Sequence, residues 1–154
     1  MKNESKLLTI ALLLGGVVIT IFGILSVRNL FLGTSLSVYD ILLDTTVLLA
    51  CGIAYRILFL LRKVLVLLYK EQAFTDGMIV QVVQIKRLFL VMFFVLVVNI
   101  PYYFKLADDA DAPGVFPIGV AITILPFFCY IFSKIVEELF RRATNLKKEN
   151  DLMI

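Results

Sequence analysis

Leu61–Leu88, LRKVLVLLYKEQAFTDGMIVQVVQIKRL, is the stretch whose reading decides the fold. It carries Arg62, Lys63, Lys70, Lys86 and Arg87 and lies between two long apolar runs. Leu61, Val64, Leu65 and Leu68 keep helical spacing, and Met78, Ile79, Val82, Val83 and Ile85 resume it after the polar break Glu71–Gly77. The pattern predicts two antiparallel amphipathic arms, a helical hairpin over 61–88 on the cytosolic face of a membrane protein. Thr75 is the expected N-cap of the second arm, its hydroxyl accepting from a free backbone N–H. Asp76 then falls in the first turn, where a carboxylate suits the helix dipole.

Moving outward, the flanking runs predict spans over about 41–61 and 88–106, and two further runs predict spans over about 7–27 and 115–133. The chain of 154 residues is 61% hydrophobic, against about 45–50% in soluble domains, and its mean hydropathy is +0.99. The apolar runs are continuous, which argues against the alternation of a β-barrel. The expected class is all-α: one integral membrane four-helix bundle over 1–154, with a cytosolic hairpin at 61–88 and a C-terminal amphipathic helix in the tail, 134–154. The first run exceeds the roughly 7–15 apolar residues of a secretory signal, and Arg28-Asn29-Leu30-Phe31 follows it. An uncleaved first span is therefore expected, and Ala11 and Gly15 within it are spaced for close helix approach or are simply tolerated there.

Three polar residues stand out inside the spans: Asp44, Arg56 and Asn99. An ionisable group in hydrocarbon costs about 2.5–3.5 kcal/mol on insertion scales, so Asp44 and Arg56 are each a functional-site hypothesis. Arg56 is close enough to the inner edge to snorkel; the alternative is an internal contact with Asn99. Asn99 is expected to hydrogen-bond another helix. Pro101 should kink or end the third span, Pro126 should kink the fourth, and Tyr102 and Tyr103 suit the interface. Asp108, Asp109 and Asp111 sit in the acidic turn 107–117; their spacing matches no EF-hand, and a solvated external loop is the expectation.

In the tail, Ile135, Val136, Leu139, Phe140, Ala143 and Leu146 recur at helical spacing, with Glu137, Glu138, Arg141, Arg142 and Asn145 on the other side. Such a helix lies on headgroups or packs on the hairpin, and its mixed charges favour the latter. With the N-terminus inside, twelve of the fifteen Lys and Arg fall in cytosolic segments, only Arg28 and Lys105 in external ones, and Arg56 in a span. The expectation is a multi-pass protein of the cell membrane with both termini cytoplasmic.

The chain has no histidine, and Cys51 and Cys129 both fall in spans with no Cys/His cluster around them. No phosphate loop, GxSxG elbow or HExxH motif occurs. The expectation is a protein that is not an enzyme, holds no cofactor or metal and makes no direct nucleic-acid contact, since positive-inside topology already explains the basic hairpin.

Gln72-Ala73-Phe74-Thr75-Asp76, the Lys86-Arg87-Leu88 start of the next span and the closing Lys148-Glu149-Asn150-Asp151-Leu152-Met153-Ile154 resemble a family of small bacterial membrane proteins, Domain of Unknown Function 2975. Two departures are Glu71-Gln72-Ala73 in place of a usual Gly-x-Pro-Phe, and Met153 where Thr is usual. The resemblance implies no activity. It implies the membrane half of a pair with a small helix-turn-helix regulator, and it marks Phe74, Thr75, Asp76, Asn150, Asp151 and Leu152 as partner-binding positions. Each also has a structural reading: an apolar anchor at Phe74, a cap at Thr75 and Asp76, a frayed end in the tail. The leading expectation is a non-catalytic membrane protein that tethers a soluble, DNA-binding regulator. The alternatives are an immunity or stress protein acting on a membrane peptide or complex through its lipid-facing helices, and a small transporter or channel subunit, which requires a homo-oligomer.

Overall fold

The computed structural model describes residues 2–33, 37–69 and 75–152. Five α-helices follow one another: α1 Lys2–Leu32, α2 Val38–Tyr69, α3 Asp76–Val97, α4 Ile100–Asp109 and α5 Val115–Leu152. Among the described residues every regular element is helical. α3 and α4 act as one broken rod, so the architecture is four antiparallel rods joined by short connections.

The rods pack in sequence order: α1 on α2, α2 on α3 and α4, α3 and α4 on α5. Their antiparallel register shows in the pairs they form. Gly15 of α1 faces Leu58 of α2, and Gly23 faces Cys51. The Thr46 hydroxyl of α2 donates to Asn99 at the α3–α4 break, 2.7 Å away. Phe93 of α3 stacks near Phe127 of α5 with ring centroids 5.3 Å apart. A Cβ on Gly15 would meet Leu58 at 3.6 Å, an ordinary contact, so the packing of α2 on α1 does not require glycine there.

Three helical stretches are long and apolar enough to cross a membrane: Leu8–Leu32, Asp76–Asp109 and Val115–Asn150. The second expected span, about 41–61, lies in α2, which is 32 residues long and carries Asp44 and Arg56. α2 lies between α1 and α3 and packs along both. Its buried residues Ile57 and Leu60 form an apolar cluster with Ile85 of α3, and Val64, Leu88 and Phe89 close around it.

The third expected span breaks where Pro101 dictates. Pro101 has no N–H for the carbonyl four residues back, and the chain turns at Val98–Asn99 before α4 restarts with Pro101 in its first turn. The Asn99 N–H donates to the Leu96 carbonyl at 3.0 Å, three residues back, and the Asn99 carbonyl accepts from Tyr103 at 3.2 Å. Pro126, by contrast, sits inside α5 with the helix continuing on both sides. The fourth expected span and the tail are consequently one 38-residue helix, rather than a span followed by a separate tail helix.

The short connections have identifiable closures. Ser37 precedes α2, and its N–H donates to the Asp40 carboxylate at 3.1 Å, one half of a capping box. After α4 the Ala112 N–H reaches back to the Ala107 carbonyl at 3.0 Å. That wrap places Asp111 at φ 47, a left-handed position that Asp tolerates better than most non-glycine residues.

Candidate functional site

The rods have two chemically different ends. At one, the acidic end, lie Asp40, Asp108, Asp109 and Asp111; at the other, the basic end, α2 finishes, α3 begins and α5 projects its second half. Here α5 keeps contact with α3. Glu137 of α5 is nearly buried and accepts from Lys86 of α3 at 2.5 Å. One turn on, Arg141 donates to the other Glu137 oxygen at 2.9 Å. Lys86, bonded to it, holds the Glu137 carboxyl below the usual carboxylate range, against the opposing effect of burial and with further help from Arg141. Thr144 is 2% exposed, and Lys148 reaches Asp76 with contacts of 3.0 and 3.1 Å to its two carboxylate oxygens.

This ladder brings two of the sequence-marked stretches together. Thr75 is the N-cap residue of α3, but its hydroxyl makes no cap bond, contrary to expectation. The Thr75 main-chain carbonyl does the work, accepting from Met78 at 3.0 Å and from Ile79 at 3.4 Å. Asp76 occupies the first turn of α3 and carries the contact to the tail. Asn150 is exposed near the end of α5, two residues beyond Lys148. Asp151 and Leu152 end that helix, with side chains outside what is described, and Phe74 lies outside the described residues. The tail thus packs on α3 through Glu137, Thr144 and Lys148.

The three polar residues expected inside the spans are handled separately. Asp44 is buried, with the side chains of Asn29 and Ser26 of α1 beside it. Asn99 is 0% exposed. Its oxygen is taken by Thr46, and its Nδ2 is buried with no hydrogen-bond partner among the described residues. Arg56 is exposed and lies ten residues, about 15 Å, along α2 from Thr46, the residue that meets Asn99, so the Arg56–Asn99 contact considered from sequence is not formed. Sequence reasoning missed Ser26, Asn29 and Thr46, which offer no signal beyond being small polar residues in apolar runs. It also missed Glu137 as the hub, although the Glu137–Arg141 spacing of four residues on a helix was a legible sign.

Between α2, α3 and α5 runs an apolar groove of about 680 Å³, its walls including Val64, Leu68, Met78, Phe89, Phe128 and Phe140. Ser133 and Cys129 also line it, and the Ser133 hydroxyl is already spent on the Cys129 carbonyl at 2.8 Å. Among the described residues no group of His, Cys, Asp and Glu is placed to hold a metal ion.

The model of a family described as protein of unknown function (DUF2975) matches residues 2–154. The "Uncharacterized membrane protein YoaS" of Bacillus subtilis (strain 168) is 30% identical over 56 residues, 36% of this chain and 35% of that relative. The matched segment therefore spans about a third of the curated relative. No solved structure matches. A match over nearly the whole chain, together with helices long enough to cross a bilayer, places this chain in the DUF2975 family, a family of membrane proteins of unknown function.

Proposed function

We propose that this protein is a non-catalytic, four-span protein of the cell membrane, with both termini and the basic end in the cytosol, that holds a soluble cytosolic partner such as a small helix-turn-helix regulator. Any DNA contact belongs to that partner. The observation that carries the reading is the Asp76–Lys148 pair, which ties the start of α3 to the far end of α5. Two stretches 72 residues apart in sequence thereby form one composite surface. Exposed ion pairs contribute only about 0–1 kcal/mol, so this pair does little for stability and is better suited to fixing the geometry of a surface. The position of α2, packed between two apolar rods, supports four crossings.

Copurification after mild crosslinking in native membranes tests the reading, comparing the full chain with one lacking residues 147–154. Recovery of a soluble regulator with the full chain and its loss with the truncation is the expected result. Equal recovery of membrane components alone from both overturns it. A second reading, action on a membrane peptide or complex, is favoured by one observation: α1 packs chiefly on α2, and most of its apolar surface faces outward. It predicts that truncation after Arg142 leaves protection intact.

A further inference from the structure

The groove between α2, α3 and α5 has no part in the partner-binding reading. Along α5 it runs from Leu125 to Phe140, about 22 Å at 1.5 Å per residue, the length of one extended acyl chain of a membrane lipid. Its deep end, at Phe89, Leu125 and Phe128, belongs to the membrane-crossing stretches, so lipid is the solvent at its mouth.

The two faces of α5 acquire charge at different heights. On the far face charge begins at Lys134 and continues through Glu137, Glu138 and Arg142, which line a separate depression with Ile135 and Leu139 between them. Lys134 stands about 29 Å above Val115, close to the roughly 30 Å of a hydrocarbon core. On the groove face apolar residues continue to Phe140, about 38 Å above Val115. The groove therefore outlasts the hydrocarbon by about 8 Å. Left to water, that length of apolar wall is unfavourable, and a bilayer meets such mismatch by local thickening.

We propose that the groove binds one phospholipid of the leaflet at the basic end, with one acyl chain lying along it and the headgroup raised above its neighbours toward Phe140. Three features select a lipid. The groove opens sideways to the bilayer. Its one hydroxyl is already bonded internally, so no wall group requires a polar partner. Exposed Lys147 lies on the groove face of α5, two turns beyond Phe140, and basic side chains near a membrane surface draw anionic headgroups; an anionic phospholipid is the preferred occupant.

The test uses the full chain, one copy per nanodisc, in phosphatidylglycerol and phosphatidylethanolamine. In a Cys51→Ser, Cys129→Ser background, Val136→Cys places a thiol on the groove wall and Glu138→Cys places one on the far face. With a lipid seated, an impermeant maleimide labels Val136→Cys about tenfold slower than Glu138→Cys. Native mass spectrometry finds one phospholipid retained on the wild type and none on Val136→Trp, whose indole fills the groove. Equal labelling of the two thiols overturns the proposal, as does a lipid retained equally by Val136→Trp. Protection that appears only with two chains per disc assigns the groove to a second copy, and protection that appears only on adding the cell's soluble fraction assigns it to a partner protein. Either result overturns the lipid.

Discussion

Asn99 combines full burial with one satisfied and one unsatisfied polar atom, and Thr46 is its only hydrogen-bonding side chain among the described residues. Thr46→Val leaves both ends of the amide without partners and should destabilise the fold by about 0.6–1.7 kcal/mol. Asn99→Leu removes the polar group altogether and should cost less than Thr46→Val, since an unmade buried bond is worse than none. Unfolding in mixed micelles distinguishes the two. Gly119 supplies a second residue-scale prediction. A Cβ there would overlap the Tyr103 ring, so Gly119→Ala should destabilise by about 1–3 kcal/mol through overpacking. Combining it with Tyr103→Leu should recover part of that loss, which a double-mutant cycle in the same micelles measures.

At the scale of elements, α5 is held to α3 at the basic end by one partly buried ion pair and one exposed pair, and the two should behave differently. Glu137 has a lowered folded pKa, so its contribution is present above the ordinary carboxylate value of 4.5 and is lost as pH falls below that through the folded value. Hydrogen-exchange protection at the start of α3 and the end of α5, referred to the intrinsic exchange rate at each pH, should therefore fall in acid. Glu137→Gln should lower it already at neutral pH, by about 2 kcal/mol of lost local stability, and flatten the acid response. Asp76→Asn should change exchange little, because its partner Lys148 is well exposed. If Asp76→Asn instead unfolds the end of α5, the pair is structural and its role in shaping a partner surface is lost.

For the whole molecule, the expected topology puts cysteines introduced at Glu149 and Asp109 on opposite sides of the membrane. An impermeant thiol reagent applied to intact cells should label Asp109→Cys and spare Glu149→Cys until the membrane is broken. The same experiment with a cysteine at Ser37, expected on the outside with Asp109, decides whether α2 crosses. The fold is modular enough that removal of residues 147–154 should leave the rods assembled: the apolar cluster of Ile57, Leu60 and Ile85 lies far from that end of α5, and circular dichroism with thermal unfolding checks it.

How much was legible before the structure differs by residue. The rods, their order, the break at Pro101 and the position of the Thr75 cap follow from hydropathy, helical periodicity and proline geometry. Those are properties of the local chain and of water, and they act wherever the segment lies. The tertiary structure alone decided the rest. It gave the cap bond to the Thr75 carbonyl instead of the hydroxyl. It paired Asn99 with Thr46 instead of Arg56, because Arg56 lies about 15 Å further along α2. It ran the fourth span into the tail as one helix, and it joined Asp76 to Lys148 across the basic end. These depend on which faces of antiparallel helices meet and at what register. A hydropathy pattern contains the face but not the partner, so contacts between distant polar side chains were decided only when the rods came together.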